Sequence, residues 1–114
     1  MSRFSQTPEP PYYAVIFSST LGESDAGYDA MGQALVELAE EQPGYLGIET
    51  TRDSEKFGIT VSYWKDEASI LAWKNQSRHL LAQKHGIETW YAHYELRVAK
   101  VARAYSGPEG RSVG

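Results

Sequence analysis

Three histidines, an arginine two residues from a glutamate, and an unusual wealth of aromatic rings are where chemistry could sit in this sequence. His79, His85 and His93 carry imidazoles that titrate near neutral pH, so each could accept or donate a proton. On a helix the 79–85 separation turns the two side chains about 120° apart, which leaves them no shared face for a metal ion. His93, Glu95 and Arg97 alternate along what reads as a strand and fall on one of its faces. An ion pair across strands or across an interface is the plain reading of that row. The catalytic reading is a guanidinium at Arg97 that stabilises a developing oxyanion. Three Trp, eight Tyr and three Phe are enough to wall a cavity for a flat apolar molecule. The chain has no cysteine, so disulfides, thiolate catalysis and Cys-ligated metals are excluded.

Composition narrows the class further. A length of 114 residues suits one domain, and 41% apolar with 23% charged residues is ordinary for a soluble globular protein. A net charge of −4, with lysines and arginines scattered, counts against nucleic acid as the main partner. No apolar run approaches the roughly 18 residues of a membrane span, and the polar, proline-rich first residues do not read as a secretory signal. The expectation is a cytoplasmic protein that binds neither nucleic acid nor membrane.

The elements that must position these groups follow from periodicity. Residues 12–19 read as a strand that is apolar on both faces: Tyr13, Val15 and Phe17 point one way, Tyr12, Ala14 and Ile16 the other. Helices of so short a chain can cover one face, and a second copy of the sheet is the simplest cover for the other. Ser24 or Asp25 is a plausible cap for a helix running to about residue 41, with Tyr28, Met31, Leu35 and Leu38 as its stripe. Pro43-Gly44 ends it. Residues 45–52 and 57–64 form a hairpin around the turn 53–56, and Glu49 is set on one face with Tyr45 and Gly47. Asp66 caps a second helix to about His85, with Gly86 as its stop and Ile70, Trp73, Leu80 and Leu81 buried. Residues 90–105 make a long last strand that sets Tyr91, His93, Glu95 and Arg97 against Trp90, Ala92, Tyr94, Leu96 and Val98. The order βαββαβ predicts a ferredoxin-like α+β domain over residues 12–105, an antiparallel sheet with both helices on one face. Residues 1–11 and 106–114 are expected to be flexible flanks, and the last strand to overhang its sheet toward a partner.

The residues also carry a family pattern. Gln42-Pro43-Gly44-Tyr45-Leu46-Gly47-Ile48-Glu49 resembles the "PG(F/Y)xGxE" start of strand two in the antibiotic biosynthesis monooxygenase family. Gly58 to Trp64, Trp73-Lys74, His79, Gly86, Trp90-Tyr91, Tyr94, Arg97-Val98 and Tyr105 follow the same pattern in order. The resemblance implies a homodimer in which two ferredoxin-like protomers pack sheet to sheet as a dimeric α/β barrel. It also implies one of several activities: cofactor-free oxidation of polycyclic phenols, haem degradation, or none yet assigned.

Haem-degrading relatives use an asparagine on strand one and a tryptophan on helix two followed ten residues later by histidine. Trp73 matches the tryptophan, but Gln83 stands in the histidine position and residues 12–19 hold no asparagine. That favours the cofactor-free branch, with neither metal nor cofactor. There an apolar cavity holds an aromatic or quinol-type substrate, and a base generates the electron-rich anion that reacts with dioxygen. The resemblance places Trp64, Tyr63, Trp90 and Tyr94 on the cavity wall, with Asn75 and His93 as polar contacts. His79 is the candidate base and Arg97 the candidate oxyanion stabiliser. Trp73, at helical spacing with Ile70, reads as core. A non-catalytic module that captures a small apolar or aromatic metabolite is the alternative, and haem binding through another ligand stands behind it.

Overall fold

The computed structural model describes residues 3–23, 26–83 and 90–108. Strand β1 (Tyr12–Leu21) is followed by helix α1 (Tyr28–Glu40), the hairpin β2 (Tyr45–Arg52) and β3 (Phe57–Trp64), helix α2 (Glu67–Gln83) and strand β4 (Tyr91–Val101). The strands pair antiparallel in the order β2-β3-β1-β4, the ferredoxin-like arrangement. The expected caps Ser24 and Asp25, and also His85 and Gly86, lie outside the described residues, as do the side chains of Leu81 and Gln83. Asp66 does cap α2: its carboxylate accepts from the Ser69 backbone N–H at 2.8 Å and the Ser69 hydroxyl at 2.7 Å.

Register assigns every strand residue to a face. Val15 stands opposite Ser62 and Val98, and Ile16 opposite Val61 and Arg97. Val15, Phe17, Ser19, Ser62, Trp64, Leu96 and Val98 therefore face the helices, while Ile16, Val61, Glu95 and Arg97 face away. Two irregularities shift this alternation. The β2–β3 register slips between Tyr45 and Gly47, so Tyr45 faces the helices while Gly47 and Glu49 face away. The β1–β4 register slips at Thr20/Leu21, so Tyr91 opposes Leu21 while His93 opposes Thr20. Both correct a strict period of two, in which Tyr45 shared a face with Glu49 and Tyr91 with His93. One extra residue at a bulge moves everything beyond it to the other face.

Two apolar clusters sit between sheet and helices. Val15, Ala39 and Trp64 form one, with Tyr45, Ile70 and Trp73 packed on it. Leu21, Met31 and Trp90 form the other, with Tyr28, Ala34, Leu35, Leu80 and Tyr91 around it. The α2 stripe is thus split, Ile70 and Trp73 joining the first centre and Leu80 the second, while Tyr28, Met31 and Leu35 of the α1 stripe join the second. On the opposite face, part of β1 is covered by this chain's own leading residues. Ser5 donates its N–H to Glu49 Oε2 at 3.0 Å and its hydroxyl to the Ile48 carbonyl at 3.2 Å. Thr7 shares a hydrogen bond with the Tyr12 hydroxyl at 3.0 Å. Tyr12 and Ala14 are buried there. Strand β4 is 11 residues long and pairs with β1 from Tyr12↔Val101 to Leu21↔Tyr91, so the expected sixteen-residue overhanging strand is not what forms. Among the described residues, no helix is long and apolar enough to cross a membrane.

Candidate functional site

At the end of the sheet where β1 leads toward α1, a polar cluster is set among aromatic rings on the helix side. Arg52, the last residue of β2, donates from Nη1 to the carbonyls of Ser19 (3.0 Å) and Lys56 (2.6 Å). Its Nη2 donates to Ser19 Oγ at 2.8 Å and to Tyr28 Oη at 3.1 Å. The guanidinium carbon also lies 5.3 Å from the Tyr28 ring centre. Tyr91 Oη donates to Tyr28 Oη at 3.3 Å. Tyr28 Oη thus accepts from a cation and from a second phenol, and its own O–H is not spent on either bond.

Local structure explains why these groups meet. Gly27 caps α1 in the left-handed region, at φ 85°, a conformation a Cβ would penalise. That turn starts α1 at Tyr28. Trp90 holds the preceding residue by donating Nε1–H to the Ala26 carbonyl at 2.9 Å, and its ring meets Tyr28 edge-on. The bulge at Thr20/Leu21 brings Tyr91 to this side. Phe17 then lies within 5.3 Å of the Tyr91 ring centre and 5.4 Å of Tyr94.

Electrostatics favour neutral phenols. Burial pushes the Tyr91 hydroxyl far above the usual tyrosine range, and its bond to Tyr28 adds to that, while Arg52 pulls the other way. Tyr63, on the far face, is also pushed up, by burial first and then by its 2.6 Å hydrogen bond to Glu49.

The residues expected from sequence are not all brought together. Trp90 and Tyr94 belong to the cluster. Trp64 is fully enclosed: its ring stacks on Trp73 at 5.8 Å, and its Nε1–H is spent on Ser62 Oγ at 2.9 Å. Tyr63, His93 and Arg97 lie on the opposite face of the sheet. His93 pairs with Glu95 at 2.6 Å, both exposed. His79 and Asn75 are exposed on α2, and Leu80, next to His79, packs against the second core cluster. His79 and Arg97 therefore do not converge on one point. Glu49 takes Ser5 and Tyr63 as its partners within this chain. Sequence reasoning missed Arg52 and Ser19, and read Tyr28 as a helix-stripe residue and Tyr91 as sharing a face with His93. One signal was available, because Gly58 faces Arg52 across the hairpin and leaves room for a guanidinium. Among the described residues, no group of acidic or histidine side chains could hold a metal ion.

The fold and this pattern find relatives among known proteins. Residues 11–85 match the antibiotic biosynthesis monooxygenase family. The chain belongs to that family. This family member is 48% identical over 103 residues to the Uncharacterized protein YqjZ of Bacillus subtilis, a match spanning 90% of each chain. Over 55 residues, 48% of this chain and 26% of the other, it is 31% identical to Jasmonate monooxygenase ABM of Pyricularia oryzae. It superposes on the crystal structure of SnoaB, a cofactor-independent oxygenase from Streptomyces nogalater, with a TM-score of 0.65 at 12% identity, covering 88% of this chain and 100% of that one. At that identity the superposition speaks for the fold of the monooxygenase family, not for a shared substrate.

Proposed function

We propose that the chain is a cofactor-independent monooxygenase that oxidises a small aromatic or quinol-type substrate with dioxygen beside Tyr28, Arg52 and Tyr91. The observation that carries this reading is the Tyr28 hydroxyl, which accepts from Arg52 at 3.1 Å and Tyr91 at 3.3 Å within a ring of aromatic side chains. A hydroxyl polarised in that way donates strongly to an oxyanion, and half-buried surroundings raise its worth.

In this reading a substrate phenol loses its proton to a base. Tyr28 and the charge behind it hold the phenolate. The phenolate reduces dioxygen by one electron, and the two radicals join at the activated carbon as a peroxide. Protonation and loss of water convert the carbon from CH2 to C=O, so that substrate plus O2 gives ketone plus H2O, with all electrons drawn from substrate. His79, exposed on α2, is the proposed base because an imidazole can take up a proton near neutral pH. Trp90 and Tyr94 are the proposed aromatic wall. The second copy of a homodimer is proposed on the opposite face, where Ile59 and Phe57 stay exposed. A monomer mass in sedimentation at micromolar concentration would remove that assembly.

The functional test is oxygen uptake with a panel of quinols and anthrone-like phenols. Wild type is expected to turn over at least one of them. Tyr28→Phe should lose roughly a hundredfold in rate, as for removal of one oxyanion donor. His79→Ala should lose a similar factor if His79 is the base, and should move the acidic limb of the pH profile. Binding without oxygen uptake by any of the panel would make the site a capture module instead.

A further inference from the structure

Among the strand residues on the face that carries the cluster, the charged side chains are all cationic. The sheet holds two carboxylates, Glu49 and Glu95, and register sets both on the opposite face. On the helix side the strands present Arg52 at one end and Lys100, opposite Tyr13, at the other. All the hydrogen-bond partners of Arg52 among the described residues are neutral oxygens. Of these two cations Arg52 is half-buried, where screening is weak, and Lys100 is exposed.

Between those two cations runs an apolar strip. The helices pack mainly over β2 and β3, and Tyr91 at the start of β4 joins the second core cluster. Further along β4, Tyr94, Leu96 and Val98 are 41%, 53% and 47% exposed, with Phe17 alongside. Same-face residues on a strand repeat about every 7 Å, so Tyr94 to Val98 makes a strip about 14 Å long. The strip connects to Tyr28 through the Phe17, Tyr91 and Tyr94 rings.

We infer that this site takes an amphipathic monoanion, with its single oxyanion on Tyr28 backed by Arg52 and its elongated apolar body lying along Phe17, Tyr94, Leu96 and Val98. The inference names the substrate class of the site proposed above and rests on that location. A neutral apolar molecule would cover the strip but leave the charge at its head unanswered. A compact anion would answer the charge but leave the strip in water.

The test is equilibrium binding under argon, followed by tryptophan fluorescence, with decanoate and decanol as probes. Decanoate is expected to bind roughly tenfold or more tighter than decanol, the worth of one charge-assisted hydrogen bond. Tyr28→Phe should bring the two within about threefold of each other. Leu96→Glu, at an exposed position, should weaken decanoate at least tenfold and decanol less. Equal binding of the two probes to wild type would overturn the inference, and so would a preference that survives Tyr28→Phe. Sedimentation of Leu96→Glu supplies a further arm: a drop from dimer to monomer with decanoate binding unchanged would show a second copy on the strip, and the inference would fall. Decanoate binding does not involve dioxygen, so failure of the oxygenase reading shows separately, as absent oxygen uptake with decanoate still bound.

Discussion

The guanidinium of Arg52 occupies the space beside Gly58 that any side chain there would need. A Cβ built on Gly58 would stand 2.6 Å from Arg52 Cζ and 2.8 Å from Nη2. The two residues are paired across the β2–β3 hairpin, so the missing side chain on one strand is what lets the arginine of the other lie flat and reach Ser19 and Tyr28.

Gly58→Ala should therefore push the guanidinium away without breaking the sheet, because the clashing atoms are the far end of a flexible side chain. Loss of its bonds to Ser19 and Tyr28 is expected to cost about 1–3 kcal/mol in urea unfolding. Decanoate affinity should fall with it. An unchanged unfolding midpoint together with unchanged affinity would show that Arg52 finds an equivalent position.

Gly47 has a similar relation to the leading segment. A Cβ on Gly47 would lie 2.5 Å from the Ser5 side chain. Gly47→Ala should lift Ser5 from Glu49 and Ile48, at a cost under about 1 kcal/mol because the segment is superficial. Limited proteolysis should then cut within residues 3–11 faster than in wild type. An equal cutting rate would show that the segment already leaves the sheet freely.

Tyrosine titration reads the two faces at once. Tyr91, Tyr63 and Tyr45 are all raised above the ordinary value of 10.0, each by burial first. Three of the eight tyrosines should accordingly ionise late in the folded protein. A phenol whose pKa is raised by folding contributes its stability in full below pH 10, where the unfolded chain is also protonated. That contribution is lost as pH climbs above 10, because the unfolded state ionises first. Tyrosinate absorbance should rise in two stages, the second coinciding with unfolding by circular dichroism. A single smooth titration of all eight in the folded state would contradict the burial described.

Trp64 and Tyr94 should separate stability from binding. Trp64 is fully enclosed between Trp73 and Tyr45, so Trp64→Ala is expected to cost about 3–5 kcal/mol. Tyr94 is 41% exposed, and Tyr94→Ala should cost under about 1 kcal/mol while weakening decanoate. Thermal unfolding of both variants beside wild type checks the contrast.

Much of the fold was legible in advance. The hairpin at 45–52 and 57–64, the Asp66 cap and the two helix stripes come from local chemistry: turn residues, a side chain that can reach its own helix end, and a period of 3.6. Much of the site was not. Tyr28 looked like one more stripe residue, yet it holds both a core position and the central hydroxyl. Arg52 looked like the end of a strand. Trp64, which only the family resemblance set on a cavity wall, fills the core, since nothing in a strand pattern says how deep a ring will sit.

The sequence by itself determined the order of elements, the family and the ferredoxin-like topology, because each depends on residues near one another in the chain. Only the tertiary structure decided which face Tyr91 and Glu49 occupy. A bulge is a mismatch between two strands, and its place depends on how residues far apart in sequence pair. Tertiary structure likewise drew Arg52 to Ser19 and Tyr28, from 33 and 24 positions away. No local propensity encodes such a meeting. It follows from the space Gly58 leaves open and from the need of a half-buried cation to find oxygen partners.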